Sequence, residues 1–146
     1  MINGRFGNTS GRPYLEAAVL IPSLSIEGMV SFCVDTGADT TVLMPTDAAT
    51  PGVDYTQLTT PMQCVGVGGV SNDFGVPALI VVADRGVALY VYRINLTVIT
   101  PKSEMMTAPS LLGRDVLNRW SLHMDYSSSL LTAEIRSCDG MIPLNP

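Results

Sequence analysis

Asp35-Thr36-Gly37-Ala38-Asp39 is the segment of this 146-residue chain best equipped for chemistry. It follows an apolar run, residues 29–34, and precedes the apolar pair Val42-Leu43. A carboxylate at the exit of a buried strand, on a turn that Gly37 makes possible, is projected at the floor of a cleft. The same residues also suit an Asx turn, in which Asp35 accepts hydrogen bonds from the amides that follow it. Asp-Thr-Gly-Ala arises by chance at on the order of one in 10^5 start positions under average residue usage. Two further segments therefore matter. One is the glycine-rich Gly66-Val67-Gly68-Gly69, and the other is Leu111-Leu112-Gly113-Arg114-Asp115.

Other chemistries fit less well. The glycine cluster lacks the GxGxxG spacing and no helix follows it, which argues against a nucleotide loop. Asp35 with Asp39 lacks the later oxygen ligands and terminal Glu of a calcium loop. His123 has no Gly-x-Ser-x-Gly nucleophile to serve and reads as structural. Cys33, Cys64 and Cys138 are an odd number without a CxxC pair, so neither a disulfide framework nor a zinc site follows, and no metal or cofactor is expected. Asn72 and Asp73 read as turn formers.

The elements that must position these residues are β-strands. Hydrophobic residues make up 47% and charged residues 14%, the opposite of a disordered composition, and the length suits one domain. Plentiful Val, Thr, Ile and Leu, punctuated by 13 Gly and 10 Pro, indicate an all-β fold. Strands are expected over residues 14–21 and 26–34, feeding the Asp35 turn. Residues 46–61 read mostly as loop, with room for one helical turn at Ala48 and Ala49. A hairpin over 62–82 has the glycines at its tip, and a strand over 87–99 follows. Val116, Leu117 and Trp120 stand at helical spacing, predicting one short helix over 114–120. A terminal hairpin over 121–135 comes next. The domain is thus expected at 12–136, with an N-terminal segment 1–11 and a tail 137–146.

The net charge of −5, with basic residues scattered singly, argues against nucleic acid as a partner. Residues 1–10 lack the pattern of a signal peptide, and the most apolar stretch, 76–83, contains Pro77 and is too short to span a bilayer. No membrane partner is expected within this chain, and a soluble, cytoplasmic or intracellular location is.

In combination and order, the three segments resemble the retropepsins, the retroviral-type aspartic proteases, and the related cellular retropepsin-like domains. Asp35 to Asp39 matches their catalytic motif, residues 66–69 a glycine-rich flap, and residues 111–115 the apolar-apolar-Gly-Arg-Asp segment that opens the helix. Arg12-Pro13 matches a further feature of retroviral members. The resemblance spans residues 12–126. It implies a closed, barrel-like single-lobe fold and an aspartic endopeptidase whose second carboxylate comes from another copy of the chain, because only one Asp-Thr-Gly is present.

Two neighbouring carboxylates cannot both ionise readily, so one acts as base toward water and the other as acid toward the scissile carbonyl. On this resemblance Asp35 is catalytic, Thr36 bonds across the two-fold axis, and Gly37 leaves room for substrate. Ala38, Asp39, Val42, Gly66, Val67, Gly68, Gly69, Leu111 and Leu112 bind substrate, Ile99 also lining the groove, with a preference for apolar side chains. Asp39 pairs with Arg114 of its own chain and Arg12 of the partner. The terminal hairpin builds the dimer sheet. A different class of function, a catalytically weak dimerisation or peptide-binding module on the same fold, is the alternative.

Overall fold

The computed structural model describes residues 1–66 and 69–145. Its strands are β1 (Ile2–Asn3), β2 (Arg5–Phe6), β3 (Pro13–Ile21), β4 (Ile26–Val34), β5 (Val42–Leu43), β6 (Pro61–Gly66), β7 (Gly69–Asp84), β8 (Ala88–Val98), β9 (Leu111–Leu112), β10 (Trp120–Asp125), β11 (Leu130–Ile135) and β12 (Gly140–Pro143). The helices are α1 (Pro45–Ala49) and α2 (Arg114–Leu117).

Alternation along β3 and β4 turns one side of each strand inward. Leu15, Ala17, Val19 and Ile21 of β3 are buried, as are Val30, Phe32 and Val34 of β4. The ladders β7–β3–β4–β9–β5–β8 run in a ring and close again on β7. The closed barrel that the resemblance implies is therefore present. Most pairs are antiparallel, but β4–β9 and β5–β8 are parallel, so the strand ends around residue 35 converge on one rim. A second sheet, β1-β11-β10, lies beside the barrel. It is coupled to the core through the Trp120 indole N–H, which donates to the hydroxyl of fully buried Tyr92 at 2.7 Å.

Several expected elements take a different form. The helix over 114–120 is a single turn, because Trp120 opens β10 opposite Ile135 to reach Tyr92. The helical turn allowed for at Ala48 and Ala49 does form, as α1, started by Pro45, whose fixed φ suits a first helical position. Of the hairpin expected over 62–82, only residues 61–73 leave the barrel, since β7 pairs with β8 from Phe74 onward. Segments outside 12–136 are also built into sheets. β1 pairs with β11, with Ile2 buried, while β2 pairs with β3 and β12 with β8.

Among the described residues no helix is long and apolar enough to cross a membrane.

Candidate active site

β4 ends at Val34, and Asp35 follows with its amide donating to the Leu112 carbonyl at 3.0 Å. Asp35 is half-buried, and its Oδ1 accepts from the Gly37 amide at 2.9 Å. The Asx turn and the projected carboxylate are therefore one arrangement, in which the Gly37 amide orients a half-buried acid. Gly37 does not need its conformational freedom here, contrary to expectation, for it is not among the residues with positive φ. Thr36, Gly37 and Asp39 are exposed and Ala38 half-buried.

The segment around Arg114 holds this loop from below. The Arg114 guanidinium donates to the Thr36 carbonyl at 2.8 Å and forms a short ion pair with Asp39, and the Arg114 amide donates to the Ala38 carbonyl at 2.9 Å. The within-chain pairing implied by the resemblance is thus present. The forked guanidinium reads two points of the loop at once, a geometry the single ammonium of lysine does not reproduce. Asp39 remains 86% exposed despite that pairing.

Gly113 is required because the backbones touch. A Cβ on it would lie 2.5 Å from the Thr40 carbonyl oxygen and 2.9 Å from the Thr41 nitrogen, contacts no side chain tolerates.

Two further contacts complete the support, and sequence reasoning did not assign them. Asp115 accepts from the Thr41 amide at 2.9 Å and from the Thr41 hydroxyl at 2.7 Å, while that hydroxyl accepts from the Gly113 amide at 3.2 Å. Ser110 accepts from the Met44 amide at 2.9 Å and donates to Asp47 at 2.6 Å. Asp115 stood within the recognised segment, but nothing in sequence spacing indicates that its partner is Thr41, 74 positions away.

The expected groove residues separate into two groups. Val42 and Leu111 pair with each other across β5 and β9 and are half-buried. Leu112 has no exposed surface and Ile99 is 5% exposed, so both are core residues of the barrel rather than groove walls. This corrects the expectation for Leu112, whose side chain alternates inward from that of Leu111. Arg12 is exposed. Its positive charge opposes, and Asp35 adds to, the upward shift that burial imposes on the Cys33 thiol. Gly66 and Gly69 face each other at the outer end of the described β6–β7 ladder, while Val67 and Gly68 lie outside the described residues. His123 is exposed on β10 opposite Thr132, apart from this cluster. Asp73 is not in a turn but buried within β7, which corrects its reading as a turn former.

The arrangement presents one rigidly seated carboxylate per chain at an exposed rim. The family model described as aspartyl protease matches residues 23–116. Among solved structures, a retropepsin-like aspartic protease from Rickettsia conorii is similar, with TM-score 0.60 and 23% identity over 99% of this chain and 92% of that one. The EIAV protease, in an inhibitor complex, is also similar, with TM-score 0.48 and 23% identity over 77% of this chain and 90% of that one. No curated protein matches. The fold is retropepsin-like, and the chain belongs to the aspartyl protease family, whose members are aspartic-type endopeptidases.

Proposed function

We propose that two copies of this chain form one peptidase site, with the Asp35 residues facing each other across a two-fold axis. The observation that carries this is the single Asp35 seated at an exposed rim, with the exposed Thr36 and Gly37 beside it. One carboxylate is half of an acid–base pair, and a symmetric partner supplies the other half. Its environment in the dimer differs from the isolated one chiefly by the second carboxylate, which makes the pair share a proton.

The ionised carboxylate takes a proton from a water molecule as the water oxygen attacks the scissile carbonyl carbon. The protonated carboxyl gives its proton to the carbonyl oxygen, leaving a neutral gem-diol. Collapse then returns a diol proton to the dyad while the amide nitrogen takes a proton from it, and the C–N bond breaks. Thr36 bonds across the axis, and Gly37 leaves space for the substrate backbone.

The terminal hairpin supports the assembly. Among the described residues β10 pairs with β11 alone, leaving its other edge open, and Met124, Tyr126 and Leu130 are large exposed apolar residues on the hairpin. Asp39, still largely exposed beside Arg114, is open to a second cation, and Arg12 of the other copy fills that role. Ala38, Val42 and Leu111 form apolar groove surface, so apolar side chains are preferred around the cleaved bond. The flap residues Gly66, Val67, Gly68 and Gly69 cover the substrate. The domain comprises residues 12–136, the N-terminal and C-terminal segments bracing it.

Cleavage of oxidised insulin B chain between pH 3.5 and 7.5, with Asp35→Asn alongside, tests this reading. Wild-type cleavage that strengthens below neutral pH and vanishes in Asp35→Asn is the expected result. Absence of cleavage where sizing shows a dimer would instead favour the peptide-binding module.

A further inference from the structure

We infer that Asp73 anchors the root of the flap and so acts as a positioning residue for proteolysis, an inference that rests on the peptidase reading above. β7 has two parts. From Phe74 to Asp84 it pairs with β8 within the barrel, whereas from Gly69 to Asp73 it pairs only with β6. Asp73 is the last residue before the barrel, at the point about which the arm 61–73 would pivot.

Asp73 is 1% exposed. A carboxylate so buried is costly to keep unless hydrogen bonds replace its water. Asp73 Oδ1 accepts from the Thr100 amide at 2.9 Å, and the Thr100 hydroxyl donates to the Asn72 carbonyl at 3.0 Å. Thr100 therefore grips two successive residues of the flap arm.

The opposite arm is gripped more softly. Met62 is the cross-strand partner of Asp73. Its sulfur lies 3.9 Å from both the Asn95 amide nitrogen and the Thr97 hydroxyl, over Gly75, where a Cβ would come within 2.6 Å of it.

The grip leads directly to the catalytic loop. One residue before Thr100, the Ile99 amide donates to the Leu43 carbonyl at 3.0 Å, and the Thr97 amide donates to the Thr41 carbonyl at 3.2 Å. Residues 41–43 are the continuation of the loop that carries Asp35. The flap root and the catalytic loop are thus referenced to one strand end, the last residues of β8 and those just beyond. A flap that closes on substrate can position it against Asp35 only if its root is stiff relative to that loop.

The test compares Asp73→Ala, Asp73→Asn and Thr100→Val with wild type, using peptide cleavage with active sites counted by a statine-type inhibitor, and amide hydrogen exchange. Asn keeps an oxygen acceptor for the Thr100 amide, and Thr100→Val removes only the hydroxyl bond. Asp73→Ala is expected to lower kcat/KM by about tenfold, the factor carried by one hydrogen bond to a charged group. Most of that should be raised KM, with Asp73→Asn closer to wild type. Simple loss of folded enzyme would lower kcat per chain at constant KM. Exchange should accelerate in residues 61–66 and 69–73 and stay unchanged in β3 and β4.

A KM within twofold of wild type in Asp73→Ala, or acceleration spread evenly over the barrel, overturns the inference. Should Asp73→Ala fail to fold, Thr100→Val must still accelerate exchange in the flap arm alone, and unchanged exchange there overturns the inference equally. If wild type shows no Asp35-dependent cleavage, the peptidase reading falls while the exchange comparison still decides whether Asp73 anchors the arm.

Discussion

The Asp35 loop and the hairpin arm 61–73 spring from the same barrel, yet they are held in opposite ways. Residues 35–41 are tied down along their length, by Leu112 behind Asp35, Arg114 under Thr36, Ala38 and Asp39, and Asp115 on Thr41. The arm 61–73 is tied at its root, by Thr100 to Asn72 and Asp73 and by Met62 to its neighbours. A group that orients a proton transfer gains from immobility, because the geometry is set before substrate arrives. A cover that must admit a polypeptide gains from freedom beyond a fixed hinge. Among the described residues, the polar contacts fall along the length of the loop and at the root of the arm.

The contrast is broken most severely at Gly113. Gly113→Ala drives a methyl group into the Thr40 and Thr41 backbone, where no flexible side-chain end can give way. A loss of about 3 kcal/mol in stability is expected, the upper end for overpacking. Cleavage should fall about 100-fold as the loop shifts, the cost of a displacement of roughly an ångström. Denaturant unfolding and kcat/KM measured on the same preparations check both, and wild-type activity would mean the loop is less tightly set than the contacts indicate.

Asp115→Ala comes next. It strips fully buried Thr41 of partners for its amide and hydroxyl hydrogens, at about 2 kcal/mol. Exchange at residues 36–41 should accelerate while the flap arm keeps its wild-type rate. Equal acceleration in both would dissolve the distinction between a rigid loop and a hinged arm.

The smallest effect lies away from both regions. Asp139 accepts from Arg119 at 2.8 Å and from the Arg93 amide at 2.7 Å, and these bonds hold its carboxyl below the ordinary range. A depressed folded-state pKa stabilises the fold above the carboxyl's unfolded value, near 3.9, and that contribution is lost as pH falls through the lower, folded-state one. Both side chains are about one-third exposed, so Asp139→Asn should cost under about 1 kcal/mol at neutral pH. The difference from wild type should close in strong acid. Thermal midpoints at pH 7 and pH 2.5 check the sign, and a difference that widened on acidification would reverse it.

Much of the site was legible in residue types. Asp35-Thr36-Gly37 pointed to a carboxylate on a strand-end turn, and the structure seats it there. The β-rich runs 14–21 and 26–34 yielded strands within a residue or so of β3 and β4, since strand propensity is a local property. The helix at 114–120 misled because Val116, Leu117 and Trp120 fit a helical face, whereas Trp120 is claimed by β10 and the Tyr92 hydroxyl. Leu111 and Leu112 look alike as neighbours, but strand alternation sends one toward the rim and the other into the core. Asp73 showed the same ambiguity, since an Asp after Asn in a glycine-rich stretch looks like a turn until Thr100 is seen across from it.

The amino-acid sequence by itself determined the chemistry on offer, because side-chain identity fixes which atoms can give or take a proton and glycine placement fixes where backbones can approach. It also determined the strand-rich character, through its β-branched, Gly- and Pro-punctuated composition. Only the tertiary structure decided which carboxylates remain exposed and which become fastenings. Asp35, Asp39, Asp73 and Asp115 are the same residue type, and they differ through partners 27 to 75 positions away, where these are long-range. Such partners are brought into reach by barrel closure, a global packing event that no local pattern in the chain encodes.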